Sequence, residues 1–141
     1  MQIDMPYFDY DRGTLLNCWK QMFYHFGLVN KFNINETNLQ MFLVEISKKY
    51  RPVPFHNMTH AFNITHVCFY IIKSLKNGES GENSLIDRDL FTDIDILSMI
   101  LGCIGHDLDH PGLGNTYFKK AKTSRAMSVS NSSILENYHI Y

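Results

Sequence analysis

The sequence predicts an all-α fold. Three observations carry that expectation. Apolar residues recur at intervals of three and four, no stretch alternates apolar and polar residues as a half-buried strand would, and glycine, proline and asparagine close the apolar segments at helix-like lengths. Neither an internal repeat nor a low-complexity segment interrupts this pattern.

From Thr14 the residues Leu15, Trp19, Met22, Phe23 and Phe26 share one helical face, and Gly27 stops the run. A second helix fits Glu36 to Tyr50, with Leu39, Phe42, Leu43 and Ile46 facing the core. The segment "RPVPF" ends it, because its two prolines forbid continuation. A third helix is expected over "HNMTHAFNITHVCFYIIKSLKNG", beginning at His56 and closing with lysine, asparagine and glycine. Residues 77–88 read as a polar, glycine-bearing loop. Thr92 and Asp95 then form a capping-box pair. The helix behind that cap carries Ile94, Leu97, Leu101 and Ile104 inward. It is expected to end at Asp109 or His110, since Pro111 disfavours α geometry before it. A further helix is expected over Gly114 to Ala121, and another from near Ser132.

Composition narrows the function classes. With 141 residues, 45% of them apolar, the chain holds one domain with a modest core. Thirteen basic against 14 acidic residues give a net charge of −1, which excludes an electrostatic footprint for nucleic acid or an anionic membrane. The longest apolar run, Ile94 to Ile104, is broken by Asp95 and Ser98 and falls short of the ~20 residues of a membrane span. Cys18, Cys68 and Cys103 are odd in number and lie in apolar helical patterns, so they read as reduced core residues of a soluble, cytoplasmic protein. The N-x-S/T triplets at Asn35, Asn57, Asn63 and Asn131 read as chance matches in an asparagine-rich chain that begins without a secretory segment.

The chemistry is concentrated in "GHDLDHPGLGN". His106, Asp107, Asp109 and His110 place four ligand-type side chains in five positions, where a helix is expected to end. Two acids at a helix C-terminus, with no partner charge nearby in sequence, are opposed by mutual repulsion and by the macrodipole. A cation is the simpler explanation. His56 and His60 lie four apart, which on a helix stacks them on one face. The zinc-protease pattern H-E-x-x-H is excluded because position 57 is asparagine, so no glutamate base is present. Imidazole with carboxylate suits zinc, iron or manganese, and a carboxylate with a second oxygen to share suits a harder ion such as magnesium. His25 and His66 have no ligand-type neighbours on their faces and read as ordinary packed histidines.

Three segments, "PFHNMTHAFNITH", "GHDLDHPGLGN" and "ILENYH", resemble in order the signatures H-N-x-x-H-x-x-N, H-D-x-D-H-P-G-x-x-N and L-E-N-x-H of the class I cyclic-nucleotide phosphodiesterases. The resemblance is strongest to the cGMP-preferring members and covers residues 14–141, with residues 1–13 as an N-terminal extension. It implies a multi-helix, HD-type array and hydrolysis of the 3′ phosphodiester bond of cGMP or cAMP. It also implies that His60, His106 and Asp107 hold a zinc ion, and that Asp107 bridges to a second ion, Mg2+ or Mn2+. His56 matches the general acid for the departing 3′ oxygen and Glu136 the carboxylate that orients it. His110 and Asn115 match residues near the ion-bridging hydroxide and the phosphate. Asp109 stays open between a direct role and service to the helix end.

The resemblance also has departures. The family domain is more than twice this length, and its later half supplies a further aspartate ligand, a glutamine and an aromatic clamp for the purine. The chain is therefore expected to carry a truncated array with a one-walled site, weak metal affinity, little or no hydrolysis of its own and an exposed apolar face prone to self-association, a homodimer included. Phe55 and Tyr138 replace a usual tyrosine and histidine. Val129, Ser130 and Asn131 stand in place of Tyr-Asn-Asp. The alternative expectation is therefore an inactive phosphodiesterase-like module with a binding or regulatory role.

Overall fold

The computed structural model describes residues 7–77, 90–122, 134, 135 and 137, and among these every regular element is helical. The loop expected at residues 77–88 lies outside them apart from Asn77. So do Ser132, Glu136, Tyr138 and the 129–131 segment.

A 3₁₀ turn (Tyr7–Asp9) precedes α1 (Arg12–His25). Asp11 caps α1 by accepting the Thr14 backbone N–H at 2.7 Å, so the helix starts ahead of Thr14. Gly27, at φ 69°, closes it in the left-handed conformation that spares a glycine the Cβ clash, and α2 (Leu28–Lys31) follows as a single turn. Asn35 caps α3 (Glu36–Lys49) through the Asn38 N–H. The buried face of α3 runs through Leu39, Leu43 and Ser47. Phe42, expected inside, is instead 41% exposed, because the i, i+4 row rather than the i, i+3 row meets α1.

The long helix α4 spans Met58–Asn77 and α5 spans Asp93–Gly105. Their mutual packing is the most extensive helix–helix contact among the described residues. Thr92 and Asp95 form the expected capping box at the start of α5. Ile96, Ile100 and Ile104 are fully buried, whereas Ile94 is 55% exposed, a correction to the inward face expected of it. Those isoleucines meet Trp19, Met22 and Phe23 of α1, Leu43 of α3, and Phe62 and Ile72 of α4 in one core. Each such side chain stabilises the fold by about 1.5–3 kcal/mol. The last element with described bounds is α6 (Asn115–Lys120), flanked by Gly114 and Ala121 as its caps, and residues 134, 135 and 137 are helical where a helix was expected from near Ser132.

No helix among the described residues is long and apolar enough to cross a membrane. The three cysteines are free and sit half-buried at the edge of the core rather than within it. Two of the four N-x-S/T asparagines, Asn35 and Asn57, cap helices, which accounts for them on structural grounds.

Candidate metal centre

The site forms where the start of α4 meets the end of α5. Pro52 and Pro54 keep the chain extended or bent up to residue 57, so α4 starts at Met58 and not at His56. Asn57 makes that start. Its Oδ1 accepts the backbone N–H groups of Thr59 and His60 at 3.0 and 3.1 Å, and its Nδ2 donates to the Val53 carbonyl. His56 therefore stands on a bend ahead of the helix, a correction to the expected helical stack. The bend still leaves its ring 5.7 Å from that of His60.

At the other side α5 ends at Gly105, four residues before the expected limit. Pro111 sets only an outer bound. Residues 106–109 instead fold into a turn closed by Leu108 N–H to Gly105 O and His110 N–H to Asp107 O, with Asp109 in the left-handed region at φ 57°. This turn presents the candidate ligands. His106 donates from Nδ1 to the Cys103 carbonyl at 2.9 Å, which leaves its Nε2 lone pair facing the cleft.

Three expected residues converge. Asp107, 9% exposed, sets its Oδ2 3.2 Å from His106 Nε2 and 3.5 Å from His60 Nε2. One donor atom from each of His60, His106 and Asp107 fits within a mutual distance of 4.8 Å. Two imidazoles and a carboxylate from two elements form a donor set that fits a divalent metal. Burial lowers the His60 pKa below its ordinary value. His106 and His56 act the same way, and the Asp107 carboxylate works against them. Near neutral pH His60 is thus unprotonated, the state a metal ligand needs.

His56 and His110 pair beside the trio, their rings stacked 3.9 Å apart at 24°. His110 is nearly buried, and its Nδ1 accepts the Gly112 N–H at 3.0 Å. Asn115 points elsewhere with at least one atom: its Oδ1 accepts the Leu135 N–H at 2.9 Å, tying α6 to the segment next to Glu136. Glu136 itself lies outside the described residues. Asp109 pairs with Arg51, which corrects the expectation that both acids of the cluster lack a partner charge. The capping role of Asn57 was legible in its type and position, since asparagine is a preferred N-cap. The Arg51 partner, 58 residues from Asp109, had no local signal. A surface cavity of about 370 Å³ lined by Gln21, Tyr24, His25 and Phe69 contains none of the site residues.

Compared with known protein families, residues 55–141 match the family described as 3′5′-cyclic nucleotide phosphodiesterase. The chain belongs to that family. Among curated relatives of the chain, the mouse high affinity cGMP-specific 3′,5′-cyclic phosphodiesterase 9A is 34% identical over 137 residues, spanning 95% of this chain and 24% of the relative. The Takifugu rubripes dual 3′,5′-cyclic-AMP and -GMP phosphodiesterase 11A is 34% identical over 134 residues, spanning 94% of this chain and 14% of the relative. Among solved structures, the phosphodiesterase domain of the RhoPDE fusion protein from the choanoflagellate Salpingoeca rosetta superposes with a TM-score of 0.85 at 26% identity. That match covers 98% of this chain and 40% of that one. The all-α, HD-type fold expected from the sequence is thereby borne out.

Proposed function

We propose that residues 14–141 are the metal-binding portion of a cyclic-nucleotide phosphodiesterase catalytic domain, with residues 1–13 as an extension, and that the chain carries part of the two-metal site that hydrolyses the 3′ phosphodiester bond of cGMP or cAMP to a 5′-nucleoside monophosphate. The observation that carries this reading is the convergence of His60, His106 and Asp107 beside the stacked His56 and His110. The names of the mouse and Takifugu relatives make cGMP the first substrate to test and cAMP the second.

In this reading His60, His106 and Asp107 would hold a zinc ion, and Asp107 would also serve a magnesium or manganese ion. Such a pair of ions polarises a phosphate and supplies a nucleophile near neutral pH. His56 donates a proton to the departing 3′ oxygen, which an imidazole can do only from its protonated form. The stacked ring of His110 restricts the rotation of His56 and keeps it aimed at the cleft. Glu136 is assigned to orient His56, and Asn115 to place the segment that carries Glu136, as its bond to Leu135 supports. A cytoplasmic location accords with three free cysteines.

A second reading, an inactive module that binds partners or a second copy of itself, draws on one observation. Ile64, Val67 and Ile71 form an exposed apolar stripe along α4.

Chromatography of cGMP and cAMP after incubation with the chain, Zn2+ and Mg2+ separates the two. The enzyme reading expects GMP or AMP to accumulate, less with His56→Ala and not at all with Asp107→Ala. No product from either nucleotide with the metal-loaded chain contradicts it.

A further inference from the structure

After α3 the chain runs as an extended strap, Tyr50 taking φ −75° and ψ 122° before the two prolines. The strap passes beneath the turn that carries His106 and Asp107 and touches it at successive points. Tyr50, 5% exposed, donates its hydroxyl to the Ile104 carbonyl at 2.7 Å, in the last turn of α5. The Lys49 carbonyl accepts the Asp109 N–H at 3.2 Å. Arg51 Nε donates to Asp109 Oδ1. Gly112, at φ 76°, lets the backbone approach Val53 so closely that a Cβ there would sit 2.9 Å from Val53 Cγ1.

The turn itself has little to keep its shape. Two i to i+3 bonds close it, and Asp109 adopts a left-handed conformation that an L side chain avoids unless its surroundings impose it. Ligand atoms have to be placed to within about 0.5 Å to share an ion. Helix packing between α4 and α5 brings the two ends together but does not set the direction in which Asp107 leaves the turn.

We propose that Tyr50 and Arg51 are positioning residues for the metal centre: without touching metal or substrate, they hold the 106–110 turn so that His106 and Asp107 meet His60. The proposal rests on reading those three residues as metal ligands.

Titration of the metal-free 141-residue chain with Co2+, whose visible absorption bands report ligand geometry, tests it. Tyr50→Phe and Arg51→Gln are each expected to weaken Co2+ binding by about tenfold, as is typical when a group behind a ligand is removed, and to alter the band pattern while the helical circular dichroism is kept. Arg51→Lys, which retains the charge facing Asp109, recovers part of the loss. That rescue separates positioning from a general loss of structure, and the exposed Arg51 series stands even where Tyr50→Phe folds poorly. Arg51→Gln and a folded Tyr50→Phe that both bind with the affinity and bands of the parent, while His106→Ala binds nothing, overturn this proposal alone. Equal binding by the parent and His106→Ala overturns the metal-site reading and this proposal with it.

Discussion

The two sides of the site are built differently. On the ligand side His60 sits in the first turn of a helix capped by Asn57, His106 is oriented by the Cys103 carbonyl, and Asp107 rides on a turn bonded to the strap below. On the other side His56 stands on a bend outside any helix, between the stacked ring of His110 and the 63% exposed Phe55. The ligand side is oriented through main-chain hydrogen bonds, whereas the His56 ring meets only other rings among the described contacts, its neighbour His110 being anchored by the Gly112 N–H. The roles proposed for the two sides call for that difference. Metal ligands lose affinity over fractions of an ångström, whereas a proton donor only has to come within hydrogen-bond reach of its acceptor.

Changes on the ligand side should have the largest effects. Asp107→Ala removes a carboxylate that faces both imidazoles and is expected to abolish metal binding by equilibrium dialysis. His56→Ala should leave binding intact while removing the proton donor, and loss of metal from His56→Ala would erase the distinction between the sides. Next in size, Asn57→Ala strips the α4 cap and should lower stability by about 1 kcal/mol in denaturant unfolding, with weaker metal binding as a consequence. Replacing Asn57 by Asp, another good cap, should preserve both.

A smaller effect is expected from pH. Burial holds the His60 pKa below its ordinary 6.5, and His25 is lowered as well by burial and by Lys73. The unfolded chain therefore binds more protons than the folded one between the ordinary and the lowered values. Stability of the metal-free chain is full above about 6.5 and declines as pH falls through that window. Thermal unfolding followed from pH 7.5 to 5 should show the decline, and His60→Ala should flatten it in part. The smallest effect is expected away from both sides. Ile71→Lys on the exposed α4 stripe should change stability by less than about 0.5 kcal/mol and reduce self-association in sedimentation.

Much of the fold was readable because helix signals are local. Asn35, Thr92 with Asp95, and Gly27 act where their types predict, and Leu39, Leu43 and Ile104 are buried as their spacing predicts. The errors share a cause. Phe42 and Ile94 are apolar residues at the edge of a buried face, and periodicity alone does not say where the neighbouring helix stops covering it. Likewise the ligand trio was legible as a cluster of ligand types, but not its bracing. Tyr50 meets Ile104 across 54 residues and Arg51 meets Asp109 across 58, and only the fold brings those pairs together. The helical pairing of His56 with His60 failed for a local reason, the proline-bent entry to α4, while the closeness of their rings survived it.

The central claim is that His60, His106 and Asp107 form one metal centre. Calorimetric titration of Zn2+ into the metal-free chain, with His60→Ala in parallel, tests it most directly. The account predicts a single site in the parent and a loss of at least about a hundredfold in His60→Ala, since removing one of three protein ligands leaves the ion largely to solvent. Equal zinc affinity in the two proteins would contradict it.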